Sequence, residues 1–128
     1  MKRTLYSSGA KWEDVLGYSR AVRHGKIIEV SGTTSIENGK FIGKGDITLQ
    51  TQTTLKIIKN AITALGGEMK DVIRTRIYVT DIKQWEKVAE VHGTFFRDIK
   101  PATTLIEITA LIDPDMLVEI EATAIVDD

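Results

Sequence analysis

Cysteine is absent from the chain, which excludes disulfides, thiolate zinc sites and a cysteine nucleophile. Proline occurs only at Pro101 and Pro114, and neither sits in a Pro- or Ser-rich tract that would mark a linker. Neither sign of charge is in excess. Seventeen basic and 18 acidic residues leave a formal net charge of -1, so no global field recruits a phosphate backbone or an anionic membrane. The longest apolar runs are a few residues, against the roughly 20 needed to span a bilayer. The start Met1-Lys2-Arg3-Thr4-Leu5-Tyr6 is basic, but Ser7, Ser8, Gly9 and Lys11 stand where a signal peptide has its apolar stretch. A cytoplasmic location is expected. Histidine is equally scarce: His24 and His92 lie far apart without an H-x-x-x-H or H-x-x-E spacing, so no metal site is expected.

What is present describes one domain over residues 1–128. With 42% hydrophobic and 27% charged residues, the composition is that of a globular chain, and dividing it would leave two halves short of core. Residues 21–23 and 27–31 read as a hairpin turning near His24-Gly25, the second run ending at Gly32. Asn38-Gly39 is a hairpin turn signal, and Gly43 and Gly45 mark a loop. Gly43-Lys44-Gly45-Asp46 lacks the length and terminal Ser or Thr of a phosphate loop and reads as a turn into a helix. Asp46 suits an N-cap, Leu55, Ile58, Ile62 and Leu65 recur at helical spacing, and Gly66-Gly67 supplies the stop. Residues 72–80 alternate, with Ile73, Thr75, Ile77 and Val79 on one face and Arg74, Arg76 and Tyr78 on the other.

A second helix follows Asp81, carries Trp85, Val88, His92 and Phe95 at helical spacing with Val91 and Phe96 beside them, and ends before Pro101. Residues 103–111 and 116–126 read as strands around the turn Asp113-Pro114-Asp115. The order β-β-α-β-α-β-β fits an α+β sandwich with two helices on one face of a mixed sheet. The other face then carries Arg74, Arg76 and Tyr78, with Glu119, Glu121 and Thr123 from another strand. A sheet of this size needs cover on its second side, so other subunits are expected there.

Several blocks resemble the YjgF/Rid family, also named for the L-PSP endoribonuclease, from about Gly17 to Val126. They are Gly17-Tyr18-Ser19-Arg20-Ala21-Val22, Val30-Ser31-Gly32, Gln50-Thr51 with Asn60, Asp71-Val72 through Tyr78 and Asp81, Pro101-Ala102, and Val118-Glu119-Ile120-Glu121-Ala122. V-S-G or Q-T alone is common, whereas the order and spacing of all the blocks is specific. The resemblance implies a chorismate-mutase-like fold assembled as a homotrimer, with small-molecule clefts between subunits and no cofactor. It further implies hydrolysis of reactive enamines and imines in the family's deaminase branch, where P-A-R supplies an arginine that grips a substrate carboxylate.

Here that place reads Pro101-Ala102-Thr103. A threonine forms no charged fork, so carboxylate anchoring should fall by ~2–5 kcal/mol, the cost of deleting one partner of a buried charge pair. Poor activity on 2-iminobutanoate and 2-iminopropanoate is expected. Ala89 and His92 likewise stand where the family pattern has asparagine and tyrosine.

By the same resemblance Tyr18 walls the cleft, Ser31 is its serine, and Glu119 positions water. A carboxylate partly removed from solvent has the raised pKa that acid-base work needs; the structural alternative for Glu119 is an ion pair, with Arg76 for example. Thr103 and Thr104 would offer neutral hydrogen bonds, and Arg20 and Arg76 are the cations able to restore charge, against ordinary ion pairing. His92 lies on the apolar stripe of its helix, where a lone histidine more often packs than reacts. Ser31 has no G-x-S-x-G elbow, so it is not a hydrolase nucleophile. Two function classes remain open, a metal-free hydrolytic deaminase and a non-catalytic metabolite-binding module. RNA cleavage is a third, against which balanced charge and the lack of an aromatic-basic cluster weigh.

Overall fold

The computed structural model describes residues 2–127, so Met1 and Asp128, the two ends of the expected domain, lie outside the described residues. The chain runs β1 (Arg3–Tyr6), α1 (Lys11–Leu16), β2 (Ala21–His24), β3 (Ile27–Thr33), β4 (Ile36–Glu37), β5 (Lys40–Phe41), α2 (Ile47–Ala64), β6 (Val72–Val79), α3 (Trp85–Phe96), β7 (Ala102–Glu107) and β8 (Val118–Ile125). All seven elements expected from the sequence occur in that order. The N-terminal pair β1 and α1 is added, and the hairpin turn read at Asn38-Gly39 joins the short strands β4 and β5. That turn places Asn38 at φ 53° and Gly39 at φ 77°, the left-handed pair that an Asn-Gly turn tolerates.

The main sheet has the strand order β1-β2-β3-β8-β6-β7. β6 and β7 are parallel, and the remaining neighbours pair antiparallel. A parallel pair needs a crossover, which α3 supplies. That crossover corrects one expectation: residues 103–111 and 116–126 are not neighbouring strands, because β7 lies outside β6 and β8 is inserted between β3 and β6. β7 accordingly ends at Glu107, and residues 108–117 cross back over β6.

The core lies between the sheet and the two long helices. Leu55, Ile58, Ala61 and Ile62 of α2 are fully buried together with Ile28, Val79, Val88, Val118, Ile120 and Ala122. The Asp46 side chain accepts from Leu49 N at 3.1 Å and so caps α2 as expected. Gly66, at φ 86°, ends it. Buried Gln50 fastens the start of α2 to two loops: its amide donates to Gly43 O at 2.9 Å and Asp115 O at 3.1 Å, and its carbonyl accepts from Leu117 N at 2.9 Å.

Two side chains depart from the sequence pattern. Ile73 is 48% exposed rather than on the core face, because the β6–β8 register shifts between Val72 and Arg74 and a bulged residue leaves the alternation. Trp85 is half exposed, and Val88, Val91 and Phe96 form the buried stripe of α3. On the sheet face away from the helices, Arg74 lies opposite Thr123, Arg76 opposite Glu121, and Tyr78 opposite Glu119. The polar face read from the sequence is therefore present.

Candidate functional site

A cleft of about 120 Å³ is bounded by α1, β3, β8 and α2, with Tyr18, Arg20, Gly32 and Glu119 as its polar wall and Trp12, Leu16, Ile36, Ile57, Ile112 and Met116 as its apolar one. Arg20 is only 5% exposed, and its guanidinium is held from several sides. Nη1 donates to Gly32 O at 2.6 Å and Thr33 Oγ1 at 3.1 Å, and Nη2 donates to the Tyr18 hydroxyl at 3.0 Å. Nε lies 3.6 Å from Glu13 Oε2. Buried charges survive when they are paired and hydrogen-bonded, and Glu13 meets that requirement. Its carboxylate accepts from Ser7 Oγ at 2.8 Å, from Ser8 N at 3.3 Å and from Ser8 Oγ. Burial pushes the Glu13 pKa up, but the hydrogen bonds from Ser8 and Ser7 and the charge of Arg20 outweigh it and hold the group below its ordinary value.

Glu119 reaches the cleft from β8 and lies against the backbone of Gly32. A Cβ at Gly32 would come 2.8 Å from Glu119 Oε2 and 2.9 Å from its Cδ, so the missing side chain makes room for the carboxyl. Burial raises the Glu119 pKa, the charge of Glu121 adds to the rise, and Arg20 opposes it. A carboxyl shifted toward neutrality beside a fixed cation is suited to proton transfer.

The remaining sequence candidates sit elsewhere in the chain. Ser31 adjoins the cleft, but its hydroxyl donates to Ser19 O at 2.7 Å and its N–H to Arg20 O at 2.9 Å, fastening β3 to the segment before β2. Arg76 pairs with Glu121 at 3.5 Å, not with Glu119, and Tyr78 donates to the same Glu121 oxygen at 3.2 Å. Thr104 accepts from Arg74 Nη2 at 2.6 Å on that open face. Thr103 projects to the opposite face, where its hydroxyl lies 2.8 Å from Thr75 Oγ1, itself 2.9 Å from His92 Nε2. β7 is three strands from β3, roughly 14 Å at the usual interstrand spacing. Within one chain, then, Tyr18, Arg20 and Glu119 converge, and Thr103, Thr104, Arg76 and His92 do not join them.

His92 packs its ring on Phe96 at 4.5 Å between centroids, and burial lowers its pKa. Two of the three positions that depart from the deaminase pattern, Thr103 and His92, are thus linked through buried Thr75.

Sequence reasoning missed Trp12 and Gly32 as parts of the cleft and Glu13 as the partner of Arg20. An acidic residue and a tryptophan in a short polar N-terminal segment give no periodic signal, and only the folded position of α1 brings them to the neighbourhood of Arg20. Among the described residues no group of three or more His, Asp or Glu side chains is arranged to hold a metal ion. No helix among them is long and apolar enough to cross a membrane.

Comparison with known proteins adds three findings. Residues 8–126 match the family model described as Endoribonuclease L-PSP. The chain is 31% identical over 108 residues to the 3-aminoacrylate deaminase RutC of Acinetobacter baylyi, covering 84% of this chain and 85% of that one. Its fold superposes with a TM-score of 0.91 on the crystal structure of Rv2704 from Mycobacterium tuberculosis, a member of the YjgF/YER057c/UK114 family, at 49% identity over 98% of this chain and 100% of the other.

Proposed function

From the premise that this chain belongs to the Endoribonuclease L-PSP, or YjgF, family, we propose that it hydrolyses the carbon–nitrogen double bond of a small reactive imine, or of the imine tautomer of an enamine, in the cleft beside Glu119. The observation that carries this reading is the Glu119 carboxyl, packed on Gly32 with its pKa raised, within a cleft whose one lysine or arginine, among the described residues, is Arg20. The protonated carboxyl donates to the imine nitrogen, water adds to the carbon, and the carboxylate takes the water's proton. The carbinolamine then collapses to a carbonyl compound and ammonia, with every proton accounted for by Glu119 and water. Tyr18 and Arg20 orient the substrate. The kinship with a protein named 3-aminoacrylate deaminase supports the reaction class. Slow turnover of 2-iminobutanoate and 2-iminopropanoate is expected, because their short side chains cover little of the apolar lining.

The rim of the cleft is apolar and open, with Leu16 67% and Ile112 58% exposed. A second copy of the chain in a homotrimer would cover it, together with the charged sheet face, and would place the ligand at a subunit interface. The assay generates imines with an amino-acid oxidase and follows their decay with and without the protein. Glu119→Gln should slow the catalysed decay by about 100-fold or more, the usual contribution of a general acid-base group. Wild-type protein that leaves the spontaneous rate unchanged for every imine tried, yet binds the carbonyl products, would instead favour a metabolite-binding module. Cleavage of RNA is disfavoured by the net charge of -1 and by a cleft cation already paired with Glu13.

A further inference from the structure

Thr103 cannot grip a carboxylate, and in the chain it faces Thr75 and His92 rather than the cleft. The cleft nevertheless holds an oriented cation. A guanidinium has five N–H donors. In Arg20 both Nη1 protons go to Gly32 O and Thr33 Oγ1, one Nη2 proton goes to Tyr18, and Nε faces Glu13. One Nη2 proton is left over. The Tyr18 hydroxyl accepts from Arg20 and therefore keeps its own proton to donate. Both residues line the cleft, so each brings a donor with an acceptor still to find, and a carboxylate's two oxygens match such a pair. Glu13, held in ionised form by Ser7 and Ser8, lies against the guanidinium at Nε.

The apolar lining sets the rest of the ligand. Trp12, Leu16, Ile57, Ile112 and Met116 form it, and the buried Trp12 Nε1 has no hydrogen-bond partner. A methyl substituent would leave most of this wall wet or empty, and a branched or aromatic one would cover it.

We propose that Arg20 and Tyr18, not a residue of β7, form the carboxylate anchor of this cleft, and that its ligands are 2-oxo or 2-imino acids with a bulky apolar side chain. The inference rests on the reading of the Glu119 cleft as the substrate site, and the test separates the two. Calorimetric titration of the full chain uses three stable 2-oxo acids: pyruvate, 4-methyl-2-oxopentanoate and phenylpyruvate. The two bulky acids should bind about tenfold or more tighter than pyruvate, as expected for several added buried carbons. Arg20→Gln and Tyr18→Phe should each weaken 4-methyl-2-oxopentanoate by about tenfold or more, the range for a hydrogen bond to a charged group. Tyr18→Phe keeps the ring, so it reports on the anchor even if Arg20→Gln unfolds. Thr103→Val should leave the affinity within about twofold.

Equal binding of pyruvate and the bulky acids overturns the proposal, as does Tyr18→Phe without effect, or Thr103→Val weakening binding as much as Tyr18→Phe. Selective, Tyr18-dependent binding without hydrolysis of the imines derived from leucine or phenylalanine would uphold the anchor and defeat the hydrolase reading. Hydrolysis without that selectivity would do the reverse.

Discussion

Glu119 is the residue whose ionisation ties chemistry to stability. Its folded pKa lies above its ordinary 4.5 because burial disfavours the charge. Between those two values the folded chain holds a proton that the unfolded chain has lost. The associated stability is fully present below the ordinary value and is lost as pH rises through the folded one. Glu119→Gln should therefore melt higher than wild type at pH 8, with the difference closing below about pH 4.5, as read by thermal denaturation across pH. As a general acid, Glu119 should also give a rate that falls as pH rises through its raised pKa. Gly32→Ala separates site from fold. The new Cβ meets the end of a flexible side chain, so stability should change little while the carboxyl is displaced and activity falls. Glu13→Gln should act the other way, leaving the buried Arg20 charge without its carboxylate and costing about 3 kcal/mol in urea denaturation.

The contact of β6, β7 and α3 explains why position 103 cannot be judged alone. Thr75 is fully buried and bridges His92 on α3 to Thr103 on the edge strand. Thr75→Val should cost about 1–3 kcal/mol, because it strands a partly buried imidazole nitrogen. Thr103→Val should cost less, since the exposed Thr103 site can be rehydrated; urea midpoints for the two variants check the order. The bulge at Ile73 shows the reach of a local rule. Alternation over residues 72–80 is correct from Arg74 onward and fails one residue earlier, at Ile73, where an extra residue enters β6 against β8.

For the whole molecule, the open sheet face carries Arg74, Arg76, Tyr78, Glu119, Glu121 and Thr123 in register across two central strands. A face of paired charges that no element among the described residues covers is the surface expected to meet other copies. Light scattering at micromolar concentration should give about three times the chain mass of 14.2 kDa. Arg76→Glu, which sets like charges against Glu121, should shift that mass toward the monomer. A monomeric wild type would remove the interfacial cleft.

The sequence by itself determined the element order, the buried stripe of α2 and the polar face of β6, because each depends on periodicity, caps and turn residues within a few positions along the chain. It also pointed to Tyr18, Arg20 and Glu119 through a resemblance carried by blocks spaced along the chain. The tertiary structure decided which of the candidates meet. Strand order places β8 between β3 and β6, setting Glu119 beside Gly32 and leaving Thr103 on the far edge with His92. Packing of α1 brings Glu13 and Trp12 to Arg20. Those neighbours are separated along the chain but joined across sheet and helix, and no local propensity records a contact whose energy exists only after the chain has closed on itself.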